Sequence, residues 1–197
     1  METWVLPALL GLGLAASAGL KTFLPLLMMA VAARFHLFGI ELSGAFEWLG
    51  SWAALTTLSI ATLLEIVADK IPFVDHALSV FGTVARPAAG ALAAAAAFSG
   101  LDPTAAAVAG LIVGAPTALA VHSVQATTRV ASTATTGGLA NPAVSIVEDV
   151  AAFGAALLAL AAPLLVPVMF LVVALVMWRV IAHLRRRSPQ ARVRSEP

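Results

Sequence analysis

The sequence predicts an all-α membrane protein with about six transmembrane helices, and three observations predict it. Apolar residues make up 61% of the 197 positions and charged residues only 11%, against roughly 45–50% and about 25% in a soluble domain. The apolar residues fall into unbroken runs close to the ~20 residues that a helix needs to cross a bilayer. None of these runs shows the alternation over about 10 residues expected of a membrane β-barrel strand.

Segment one, Trp4–Ala33, is interrupted only by Lys21 and by Pro25, which predicts a single span kinked near the proline. It has no basic leader and far exceeds the roughly 7–15 apolar residues of a signal peptide, so it is expected to be retained. Segment two, Trp52–Ala68, ends at Asp69-Lys70. Segment three, Pro87–Phe98 with a start as early as Val80, is almost pure alanine. Such small residues suit a helix packed closely on others, and a homodimer through that face is compatible with them. Segments four, five and six are Pro103–Val124, Pro142–Ala162 and Leu164–Leu184. Residues 1–186 read as one membrane domain and 187–197 as a basic, disordered tail. Five of the eleven Lys and Arg follow Leu184, which predicts a cytoplasmic C-terminus and, with six spans, a cytoplasmic N-terminus.

Two stretches recur. Gly11–Leu20 resembles Gly110–Leu119, and Glu65–Asp69 resembles Ser145–Asp149. They suggest two related halves, 1–100 and 103–186, of three segments each. An odd number of spans per half makes the repeats inverted, with broken or re-entrant elements at their interface.

The same residues carry a family resemblance. GLGLAASAGLKTFLPLL (Gly11–Leu27), EIVADKIPFVDHAL (Glu65–Leu78) and STATTGGLANPAVSIVED (Ser132–Asp149) together resemble the bacterial DUF4126 membrane-protein family. The resemblance implies a multi-helix membrane domain in the bacterial cytoplasmic membrane. It implies no substrate, cofactor or catalytic residue.

Ionisable residues inside a membrane cost several kcal/mol and are functional candidates by default. Glu65 and Asp69, four apart, share one helical face. Two like charges there need a compensating partner: Lys21, Arg86, a cation or a proton. Glu148 and Asp149 are adjacent and point about 100° apart on a helix. If the two acidic pairs converge, Glu65, Asp69, Glu148 and Asp149 form a candidate metal or cation site or a proton relay, with His76 or His122 beside them. Asp69, Lys70, Asp75 and His76 otherwise read as headgroup-level residues. Lys21, beside Pro25, reads either as a ligand-facing ammonium or as a side chain snorkelling to the interface. His122, Gln125 and Arg129 share a face, and Arg129 is placed to pair with Glu148, Asp149 or a lipid phosphate. The run Ser132–Gly138 reads as a flexible loop whose hydroxyls, Thr135 among them, are available to an ion. Asn141 reads as an N-cap before Pro142.

There is no cysteine and no tyrosine, which excludes disulfides, thiolate sites and tyrosine chemistry. A net charge of +1 gives no field for nucleic acid. No H-E-x-x-H, G-x-S-x-G or phosphate-loop pattern is present, and no cofactor is implied. The leading expectation is a small transporter or channel for an ion or solute, using buried carboxylates for cation or proton coupling. The alternatives are a membrane-embedded enzyme or carrier for lipid headgroups, drawing on Asp69, Asp75, His76, Arg86 and Arg129, and an accessory subunit.

Overall fold

A computed structural model describes residues 2–187, with side chains throughout except at residues 2–3, 72–78, 181 and 184–187. Among the described residues there are seven α-helices and no strand. They are α1 (Glu2–Leu20), α2 (Leu24–Arg34), α3 (Trp52–Ala68), α4 (Pro72–Ala97), α5 (Pro103–Thr136), α6 (Asn141–Ala161) and α7 (Val166–Arg187). Short 3-10 turns lie at Leu37–Gly39, Gly44–Gly50 and Pro163–Leu165. Four stretches are long and apolar enough to cross a membrane: Ser79–Ala97, Pro103–Thr136, Asn141–Ala161 and Pro163–Val180. A fifth results if Gly44–Gly50 and α3, bent by 64°, form one span. The chain is an all-α membrane protein.

The expected first span is not one kinked helix. Pro25 sits in the first turn of α2, where its missing N–H costs nothing. The proline cannot extend α1, because it lacks a donor for the carbonyl four residues back. The chain therefore breaks at 21–23 and reverses. Leu6, Pro7 and Leu10 of α1 line one cavity with Phe38, Gly39 and Ile40, which follow α2. Gly11 packs on Ala94 near the end of α4. Ser43 donates to the Ser99 carbonyl at 2.8 Å. Both outer ends of the α1–α2 hairpin thus lie at the Ser99 end of the bundle, and its break lies toward the Lys70 end. Beside α2, the Trp52 ring meets Phe35 edge-on with centroids 6.3 Å apart, and the Arg34 guanidinium lies 4.9 Å over it.

This hairpin corrects two expectations. The N-terminal end of α1 sits opposite Lys70, not beside it as six simple spans require. The two sequence matches also do not share one inverted relation. α1 and α5 run the same way, since Gly19 packs on Ala118 and Val121 while Gly11 and Gly110 both reach the Ala91–Ala95 stretch. α3 and α6 run oppositely, since Asp69 closes α3 at the end where α6 begins.

Helices α4 and α5 cross through small residues. Cβ atoms built at Gly110 and Gly114 would lie 2.4 Å from the Ala91 carbonyl oxygen and 2.2 Å from that of Gly90. Backbone oxygens cannot move aside for a methyl group. Gly114→Ala is therefore expected to destabilise the bundle by about 1–3 kcal/mol through overpacking. Thermal unfolding in detergent should drop by several degrees, while Gly154→Ala, which meets nothing within 4 Å, should not lower it. The alanine-rich face expected as a possible dimer contact is spent within the chain: Ala93, Ala94 and Ala96 are buried.

Other boundaries also moved. α4 begins at Pro72, a proline in its first turn, so the stretch holding Asp75 and His76 is helical, although both side chains lie outside the described residues. α5 continues through Thr136, so Ser132–Thr136 is helix rather than loop. Gly137 ends it at φ 63°, the left-handed cap that glycine adopts without penalty. Residues 1–166 form one compact unit. The second unit begins at Pro167 and continues α7, with exposed apolar side chains from Val168 to Val180 suited to lipid. Arg187 lies within that helix, and residues 188–197 of the expected tail lie outside the described residues.

Candidate functional site

A broken helix leaves the last carbonyls of one half and the first amides of the other without partners. Phe23, at the N-cap of α2, makes no side-chain cap hydrogen bond. Glu65 of α3 takes that role: its carboxylate accepts from Thr22 N at 2.8 Å and Phe23 N at 3.2 Å. On the α1 side, Arg86 of α4 donates from Nη1 to the Gly19 carbonyl at 3.2 Å. Gln125 Nε2 lies 3.5 Å from the Leu20 carbonyl. The signs match the helix dipoles, an anion at the N-terminus of α2 and a cation at the C-terminus of α1.

Lys21, within the break, is fully buried (0% exposed). It does not snorkel. Its ammonium pairs with Asp69, the C-cap residue of α3, and with Asp149 of α6. Ser17 Oγ donates to the Ala152 carbonyl at 2.8 Å and ties α1 to α6 nearby. Asp149 also receives Lys70 Nζ at 2.9 Å. Arg129 of α5 pairs with Glu148 through Nη2 and through Nε at 3.1 and 3.2 Å, and its Nη2 is 3.6 Å from Asp69. Gln125 Nε2 donates to Glu148 at 2.8 Å. Arg86 Nη1 meets His122 Nδ1 at 2.8 Å. A guanidinium only donates, so Nδ1 accepts from Arg86, and Gln125 Oε1 lies 3.3 Å from the same nitrogen. Gly82 leaves room for this pair, since a Cβ there would lie 3.2 Å from Arg86 Nε and 3.4 Å from the His122 ring.

Four carboxylates (Glu65, Asp69, Glu148, Asp149) and four cations (Lys21, Lys70, Arg86, Arg129) thus converge around one break, drawn from α3 and the two residues that follow it, from α4, α5 and α6, and from the break itself. Their formal charges cancel. Charge burial of this kind is tolerable only when paired and hydrogen-bonded, because each isolated ion costs several kcal/mol. The network is closed on most sides and opens at one edge, where the Asp149 and Lys70 side chains are 20% and 36% exposed. Cavities of about 390 and 660 Å³ lie at the Ser99 end, near His36 and Glu47 and near Leu6 and Phe38, away from these charges.

Lys21, Glu65, Asp69, Arg86, His122, Arg129, Glu148 and Asp149 are brought together. Each of the four carboxylates has a cationic or amide partner, and among the described residues no group of three or more His, Asp or Glu could hold a metal ion. Thr135 stands apart and exposed, its hydroxyl bonded to the Ala131 carbonyl at 2.9 Å. Asn141 is not the N-cap: Ala140 occupies that position, and Asn141 Nδ2 reaches back to Thr133 Oγ1 at 3.0 Å. Asp69 and Arg129 do meet, and Arg86 turns to Gly19 and His122. Sequence reasoning read Lys70 as a headgroup-level residue and Gln125 as a neighbour of His122 and Arg129 on one face, and gave neither its partner: Asp149 for Lys70 and Glu148 for Gln125. The amides of Thr22 and Phe23 and the carbonyl of Gly19 leave no side-chain trace.

Over residues 8–183 the chain matches the family described as Domain of unknown function (DUF4126). No curated protein and no solved structure matches it.

Proposed function

We propose that this chain, which belongs to the DUF4126 family, is a small transporter or channel that couples passage of an ion or small solute to its buried carboxylates. One observation carries the reading: a fully buried ammonium, Lys21, sits in a broken helix between two carboxylates on different helices. A protein that needed only a stable bundle would gain as much from apolar side chains of similar volume. Broken helices with charged residues at the break are a recurrent way of building substrate and ion sites in transporters. Lys21 bridges Asp69 of α3 and Asp149 of α6, so loss of either contact loosens the hold of one helix on the hairpin. A permeating cation or a proton competes with the ammonium for the same two carboxylates. The partly exposed Asp149 edge suits access to the network from the Lys70 face. The basic tail favours a cytoplasmic C-terminus, with the chain in a bacterial cytoplasmic membrane as part of this reading.

The test is ion flux in proteoliposomes, with protons and sodium as the probes. Wild type is expected to exceed empty vesicles, and Asp69→Asn to lose at least tenfold of that excess. Flux by Asp69→Asn equal to wild type removes the network from the mechanism.

A further inference from the structure

The α5–α6 hairpin carries polar atoms that the charge network does not use. Toward the Lys70 end, the two helices touch only sparsely through their backbones and are bridged by long side chains at two levels. One level is Arg129 and Gln125 on Glu148. The other is Thr133 with Asn141, 3.0 Å apart. Between these levels lie Ser132 on α5 and Ser145 on α6. Hydroxyls on the exposed side of α5 bond back to carbonyls of their own helix, as Ser123, Thr127 and Thr128 do at 2.8–2.9 Å. Ser132 and Ser145 do not: both hydroxyls are buried without a partner, and so is Asn141 Oδ1. Ser145 is fully buried and Asn141 is 8% exposed. A buried polar atom left unpaired costs roughly 1–3 kcal/mol, and three such atoms occur between Glu148 and the Thr133–Asn141 contact, on both helices of the hairpin.

We propose that this stretch between α5 and α6 is a water-filled cleft that connects the solvent at the Lys70 end to Glu148 and Asp149. Water fits the inventory. It donates to the amide oxygen and both donates to and accepts from the two hydroxyls, and a buried water needs two to four such partners. Ser145 lies one turn from both Glu148 and Asp149 on α6, so water beside its hydroxyl reaches the edge where the network is already partly exposed. The purpose assigned to the cleft rests on the transport reading; its existence does not.

The chain has no cysteine, so single cysteines report cleanly. The probe is a small, membrane-impermeant, positively charged methanethiosulfonate applied to the full-length protein in proteoliposomes. Ser132→Cys and Ser145→Cys are expected to react at least tenfold faster than Ala156→Cys, a fully buried position on the same α6. They should react from the same side as Leu139→Cys in the exposed loop (89% exposed). The two serines are on different helices, so a folding failure at one leaves the other to decide. Labelling no faster than Ala156→Cys, with Leu139→Cys reactive, overturns the cleft. Unlabelled serines with intact wild-type flux sink the cleft alone, whereas labelled serines without wild-type flux sink the transport reading alone.

Discussion

Lys21→Met is expected to be the most damaging single substitution in this protein, costing about 3–5 kcal/mol of stability, the range for removing one partner of a buried ion pair. Methionine fills much of the lysine volume, so little of that cost comes from a cavity. It comes from Asp69 and Asp149, which lose the cation between them. Arg129 is 3.6 Å from Asp69 but is already committed to Glu148, and Lys70 is committed to Asp149 and the Ile66 carbonyl. Asp69, 3% exposed, cannot recruit bulk water in compensation. Thermal unfolding in detergent, followed by tryptophan fluorescence, should fall by roughly 6 °C or more at ~2–4 °C per kcal/mol. The double variant Lys21→Met/Asp69→Asn should recover part of the loss, because it removes a charge with its partner. An unchanged transition in the single variant would mean that the ammonium contributes no net stabilisation, and the charge argument would fall.

Much of this network is legible in the sequence because the membrane makes charge conspicuous. Lys21, Glu65, Glu148 and Arg129 stand out from long apolar runs, and the spacing of His122, Gln125 and Arg129 puts them on one helical face. What is not legible is direction. Trp4–Ala33 is long enough for one span, and Pro25 is as compatible with a kink as with a reversal. The decision rests on Glu65, Arg86 and Gln125, which arrive from other helices to satisfy the broken backbone. The same blindness affects the repeat. Gly11–Leu20 and Gly110–Leu119 are alike because both must pack closely on α4, a shared constraint that needs no inverted duplication. The Ser132–Thr136 run misleads for a different reason. Small hydroxyl residues favour loops when solvated, yet here Thr135 and Thr136 bond back to carbonyls one turn earlier and let α5 continue.

Glu65→Ala is expected to have the second largest effect, about 2–4 kcal/mol, and to act on the hairpin rather than on the charge balance. The buried amide of Thr22 and the part-buried amide of Phe23 lose their acceptor together, and an unsatisfied buried donor costs about 1–3 kcal/mol. Nothing nearby replaces it, since Phe23 provides no side-chain cap and Pro25 prevents α1 from extending to take up the amides. Glu65→Gln retains a neutral acceptor oxygen for one of the two amides, so its cost should be roughly half. If Glu65 acted instead as a charge in the network, Gln and Ala would be similarly damaging, because both remove the same negative charge. Hydrogen exchange separates the two roles. Loss of the cap raises exchange at residues 22–27, where α2 begins, and more in the alanine variant than in the glutamine variant. Equal protection of those amides in wild type and Glu65→Ala would show that the carboxylate does not hold the break. The hinge of the transport reading would then have to be sought elsewhere in the bundle.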